Sequence, residues 1–238
     1  MPGFQTKEDS RRLKQLSMAV VFIGIIIGGW FFPLIGLLIP VCMVLALLIG
    51  LRNGRKWCDW MCPRGSFFDA ILRIVSPRKK IPALFKRFPF RLVVLLALMA
   101  MMVSRLLQYW PDPYAIGIFF VRLLSVITMI GVALGVIFHQ RAWCSFCPIG
   151  TLAGWLGPAS RKLTIDSRLC VECKLCHKVC PTQVNPLAFK KDATEVVRDR
   201  DCLKCGLCLA ACPTDALAFA RKKTGEKEPG PSTRKMPG

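Results

Sequence analysis

Apolar and polar positions are segregated along this chain rather than alternated. Residues 16–51 contain no charge, and as one helix that run would extend about 54 Å against a hydrocarbon core of about 30 Å. It has to fold back. Gly28, Gly29 and Pro33 supply the turn, Trp30, Phe31 and Phe32 form an interfacial aromatic belt, and each arm keeps about 17 residues, near the lower limit for a span. Further apolar runs at 90–110 and 115–138 predict a third and a fourth span. After residue 160 the pattern shortens. Runs at 163–166, 195–199 and 216–220 read as strands, and the residues after each cysteine triplet read as short helices. Gly154, Gly157 and Pro158 form the hinge between these regions. Residues 221–238 are rich in Lys, Gly and Pro and too poor in apolar side chains to pack, so they read as a disordered basic tail.

Charge orients the spans. The chain is 53% hydrophobic yet carries a formal charge of +20, and the basic residues collect at the ends of the apolar runs. Arg11, Arg12 and Lys14 precede the first arm, while Arg52, Arg55 and Lys56 follow the second. By the positive-inside rule this is a multi-pass protein of the cell inner (cytoplasmic) membrane, with both termini on the cytoplasmic side. No stripe of Lys and Arg with interleaved aromatics points to nucleic acid. Two histidines, fewer than the four that two bis-histidine haems would need, argue against haem. Ser66 and Asp69 read as a capping box, and Arg73, Arg78, Lys79, Lys80, Lys86 and Arg87 as an interfacial helix and basic loop on anionic lipid. Cys42, alone in the second arm, reads as a small buried apolar residue. Arg105 and Arg122, near the outer loop, read as snorkelling side chains; the sharper alternative has them border a quinone headgroup pocket with Asp112.

The chemistry lies in the thiols. Cys170-x2-Cys173-x2-Cys176-x3-Cys180-Pro181 and Cys202-x2-Cys205-x2-Cys208-x3-Cys212-Pro213 are two copies of the bacterial two-cluster ferredoxin spacing. Three cysteines wrap one cubane while the fourth caps the other. The expected sets are Cys170, Cys173, Cys176 and Cys212 on one [4Fe-4S] cluster and Cys202, Cys205, Cys208 and Cys180 on the second. Structural zinc would leave one thiol too many per loop, and disulfides need an oxidising compartment. A second repeat ends the membrane hairpins: Arg55-x-Trp57-Cys58-x3-Cys62-Pro63-x-Gly65-Ser66 matches Arg141-x-Trp143-Cys144-x2-Cys147-Pro148-x-Gly150-Thr151. Two thiols cannot hold a cubane, but four can. Cys58, Cys62, Cys144 and Cys147 are therefore expected to share a third [4Fe-4S] cluster, the alternative being structural or redox-active dithiols.

The expected architecture is a membrane α-helical unit, residues 1–160, with four transmembrane helices as two hairpins, followed at 161–220 by an α+β two-cluster bacterial ferredoxin-like domain. Over residues 10–220 these motifs resemble the membrane polyferredoxins of the NapH/MauN type, related to the membrane part of the nitrous-oxide reductase maturation protein. The resemblance implies electron exchange between the quinone pool and a redox partner protein or oxidoreductase complex, in the manner of a quinol dehydrogenase subunit. No acid/base or nucleophile constellation points to substrate chemistry by this chain alone. The rival readings are a maturation factor that supplies electrons to a metalloenzyme and a cluster-based redox sensor.

Overall fold

The computed structural model describes residues 2–157, 161–191 and 194–221. The tail expected at 221–238 lies outside these residues except for Arg221, as does Pro158 of the expected hinge.

The first part of the chain is helical: α1 (Pro2–Phe31), α2 (Leu38–Asn53), α3 (Pro63–Phe67), α4 (Phe88–Gln108), α5 (Pro113–Ile137) and α6 (Pro148–Leu156). α1, α4, α5 and the stretch that begins at Pro33 are long and apolar enough to cross a membrane. Their outward side chains include Val20, Val93 and Met129, each more than half exposed, a surface that suits lipid and not water. The first turn falls later than the sequence predicts. A glycine inside a helix costs only about 1 kcal/mol, so α1 runs through Gly28 and Gly29. Pro33 stops it, because its ring forces Phe32 out of the helical region, to φ −126° and ψ 87°. A 3-10 turn, Pro33–Leu37, then meets the start of α5 backbone to backbone. A Cβ on Gly117 would lie 2.1 Å from the Pro33 carbonyl oxygen, and one on Gly36 would lie 2.3 Å from that of Gly117. Where lipid removes the hydrophobic drive between helices, such small-residue contacts hold them together.

The packing crosses between the two halves. α1 packs chiefly on α3 and α5, while α6 packs on α2, so the helices interleave rather than pair hairpin by hairpin. Ser66 and Asp69 form no capping box. Cys62 caps α3 with Pro63 at its first position, the Ser66 hydroxyl donates to the Trp60 carbonyl at 2.7 Å, and Asp69 lies in a π-helical turn, Phe68–Leu72, that directs it inward.

The second part is a small antiparallel sheet with cysteine loops: β1 (Arg161–Asp166), α7 (Leu175–Lys178), β2 (Thr194–Val196), α8 (Leu207–Ala210) and β3 (Leu217–Arg221), in the order β2-β1-β3. Thr164 pairs with Val196 and Leu163 with Phe219. Leu163, Ile165, Val184, Val197 and Leu217 form the core, against which most of the loop cysteines pack. The duplication is visible in the backbone. Glu172, Lys174 and Gln183 have φ of 56°, 60° and 54°; Lys204, Gly206 and Asp215, at the same places in the second copy, have 55°, 75° and 51°. These left-handed residues turn each loop so that its thiols face inward.

Buried charge joins the two parts. Asp201 accepts from Arg55 Nη1 at 2.5 Å and Arg91 Nη2 at 2.6 Å. The basic loop after α3 clasps the same unit, since Lys86 Nζ donates to the Thr182 and Gln183 carbonyls and Gln183 Nε2 donates to the Lys79 carbonyl. Part of the loop expected to lie on lipid is thus a protein contact.

Candidate functional site

In the sheet-bearing unit, Cys180, Cys202, Cys205 and Cys208 line one cavity, which Cys176 also touches. Cys170, Cys173, Cys176 and Cys212 line another. Each cavity therefore gathers thiols from both sequence copies, because the loops cross before their fourth cysteine. Among the described residues no three His, Cys, Asp or Glu side chains converge closely enough to hold a single metal ion. The donors in each cavity are thiols drawn from both copies, the ligand type that a cubane takes. Burial pushes the Cys202 thiol up to about 11 and the Cys205 thiol up to about 12. Binding a cluster would thus release protons from these sites.

The membrane-proximal thiols also meet. Cys58, Cys62 and Cys147 line one cavity, and Cys144, buried, lies within electrostatic reach of Cys62 and Cys147. The arginine of each repeat reaches the other repeat. Arg141 Nη1 donates to the Cys58 carbonyl at 2.6 Å, and Arg55 Nη2 donates to the Cys144 carbonyl. The motif glycines make this exchange possible. A Cβ on Gly65 would stand 3.1 Å from Arg141 Nη1, and one on Gly150 would stand 2.8 Å from Arg55 Nη2. Each guanidinium is then neutralised. Asp69 accepts from Arg141 Nε and Nη2 at 2.9 and 2.7 Å, from Arg11 at 2.9 Å and from Gln15 at 2.7 Å, while Arg11 Nε also reaches Asp59 at 2.6 Å. Arg11, expected only to mark the cytoplasmic end of the first arm, is thus part of a buried network. His139 accepts from the Arg141 N–H through Nδ1, and burial outweighs nearby Asp69 to hold it down to about 4. Cys205 lies within reach of Asp59 and Arg11, which sets its cavity beside the membrane-proximal thiols. The other ferredoxin-type cavity points outward at Cys173.

The cavity lined by Cys58, Cys62 and Cys147 has a volume of about 190 Å³ and extends between α1, α2, α4 and α5 along Phe22, Met43, Met99 and Leu124; half-buried Cys42 lines it too. At its thiol end Arg64 donates to Cys147 Sγ at 3.4 Å and lies over the Trp143 ring. Arg105, Arg122 and Asp112 do not line it. Arg105 bonds to Gln108, and Asp112 caps α5 through the Tyr114 N–H. The sequence singled out the thiols, missed Asp201 and Arg64, and read Asp69 only as half of a capping box. Arg55 and Arg141 were visible only as repeated motif positions, and the repetition itself was the signal.

Comparison with known proteins agrees with this chemistry. Residues 159–219 match a 4Fe-4S dicluster domain, and residues 35–82 and 121–166 each match a 4Fe-4S binding domain. Two uncharacterized proteins of Methanocaldococcus jannaschii are similar: one is 26% identical over 202 residues, covering 78% of this chain and 80% of its own length, and the other 28% identical over 195 residues, covering 76% and 81%. YccM of Escherichia coli (strain K12), whose name proposes electron transport for it, is 26% identical over 162 residues, 60% of this chain and 45% of its own length. No solved structure matches significantly.

Proposed function

From an iron-sulfur electron-transfer protein with four helices able to cross a membrane, we propose a membrane-anchored relay that exchanges electrons between the quinone pool and a redox partner. In this reading residues 1–160 anchor the chain in the inner membrane and residues 161–220 carry two [4Fe-4S] clusters on the cytoplasmic side. Cys170, Cys173, Cys176 and Cys212 hold one, and Cys202, Cys205, Cys208 and Cys180 hold the other. Cys58, Cys62, Cys144 and Cys147 hold a third. The clusters supply reversible one-electron transfer when bound. The chain's own residues do the rest: buried Arg55 and Arg141 fix the loops that carry Cys58 and Cys144, and the apolar walls exclude water.

The observation that supports this reading most is the sequence of thiol groups, from an apolar cavity between membrane-crossing helices to exposed Cys173. A quinone belongs in that cavity under this proposal, and not beside Arg105, Arg122 and Asp112. Two measurements test it. Iron per anaerobically purified chain is expected near twelve atoms, whereas about eight would remove the third cluster. A short-chain quinol should reduce the clusters in liposomes, and reduction by dithionite but not by quinol would remove the quinone link.

A further inference from the structure

A second cavity, of about 450 Å³, lies between the helical and sheet-bearing parts. It is strongly basic. Lys162, Arg198, Arg200 and Lys204 line it, and the carboxylate of Asp199, its acidic member, already accepts the Asp201 N–H at 2.8 Å. Lys204 donates to the Asn53 carbonyl, but Lys162, Arg198 and Arg200 make no ion pair among the described residues. The second observation concerns Arg55. Its Nη1 and Nη2 are used by Asp201 and the Cys144 carbonyl, yet Nε has no hydrogen-bond partner among the described residues, although the residue is 2% exposed and lines this cavity. An unsatisfied N–H next to Lys162, Arg198 and Arg200, which make no ion pair among the described residues, leaves positive charge that an anion would balance. The cavity also sits at helix ends, next to Gly54 and to Trp155, which stacks on Phe88 at 4.9 Å. That is the height at which lipid headgroups meet a membrane protein.

We propose that this cavity binds a phosphate-bearing anion, supplied by an anionic phospholipid headgroup or by free phosphate. Arg198 and Arg200 give it charge, and buried Arg55 bounds its inner edge. Bound there, beside Cys202 and the Asp201 ion pairs, the anion would tie the sheet-bearing unit to the membrane surface.

Cardiolipin, phosphatidylglycerol and phosphatidylcholine serve as lipid probes, read by native mass spectrometry of the full chain after delipidation; inorganic phosphate serves as the free probe, read by phosphorus NMR in lipid-free detergent. The wild type is expected to retain an anionic lipid in preference to phosphatidylcholine, or to bind phosphate saturably, the first result assigning the lipid and the second the free ion. Arg198→Gln/Arg200→Gln should weaken whichever is bound by about tenfold or more, with the visible cluster absorption unchanged because both side chains are exposed. Equal retention of neutral and anionic lipid together with no phosphate binding would overturn the proposal, as would undiminished binding by the double variant.

Discussion

Arg55 and Arg141 show how a single side chain can assemble a site from two halves of a sequence. Each is almost wholly buried and each closes on the other repeat's first cysteine. The motif glycines are therefore spacers. Gly150→Ala sets a methyl against a guanidinium that is pinned by Asp201, so it should cost about 1–3 kcal/mol and lower the iron retained per chain. Iron analysis beside thermal unfolding in detergent checks both effects. His139 adds a pH dependence. Its folded value, about 4, lies below the ordinary 6.5, so the unfolded chain takes up a proton that the folded chain refuses. The corresponding stability is complete above pH 6.5, falls as pH drops toward 4, and amounts to about 3 kcal/mol. The difference in unfolding temperature between pH 7.5 and 5 should shrink in His139→Gln.

At the scale of elements, two features hold the helices in place. The π turn at Phe68–Leu72 points Asp69 at Arg141 while Phe68 packs on Gly131 of α5, where a Cβ would come within 2.5 Å of the ring. At the opposite end the Pro33–Leu37 turn rests on Gly117 with no room for a side chain. Gly117→Val should therefore separate the turn from α5 and cost about 3 kcal/mol or more. A lower unfolding temperature in detergent, with the chain still inserted in the membrane fraction, is the expected result. The same packing explains why exposed apolar side chains are spread over the outer faces of α1, α4 and α5: the small residues and the buried charges do the joining, and the large apolar residues are left for lipid.

For the whole molecule, Asp201 decides whether the two parts act as one. Burial would raise its carboxyl, but Arg55 and Arg91 outweigh that and hold it below its ordinary value. Removing one member of a buried ion cluster leaves the others uncompensated, at a cost of about 3–5 kcal/mol. Asp201→Ala should accordingly loosen the sheet-bearing unit and speed its proteolytic release, while helical content by circular dichroism stays close to that of the wild type.

Local order was legible in the residues. Charge-free runs longer than a bilayer mark membrane helices because every backbone polar group there must bond internally, and the repeated C-x2-C-x2-C-x3-C-P spacing marks cluster loops because ligand geometry leaves few alternatives. The three short strands were legible from period-2 patterning near the boundaries observed. Partnerships across distance were not. Arg11 meets Asp59 from 48 residues away and Arg55 meets Asp201 from 146, yet spacing alone reads each of these cations as a surface anchor. An isolated arginine or aspartate carries no mark of its partner, since ion pairing is set by where the packed helices bring each charge. The sequence by itself determined which stretches are long and apolar enough to cross a membrane and which cysteines repeat the ferredoxin spacing. Only the tertiary structure decided that the two halves exchange arginines, that an apolar cavity reaches the membrane-proximal thiols, and that buried carboxylates, by neutralising those arginines away from water, hold the assembly together.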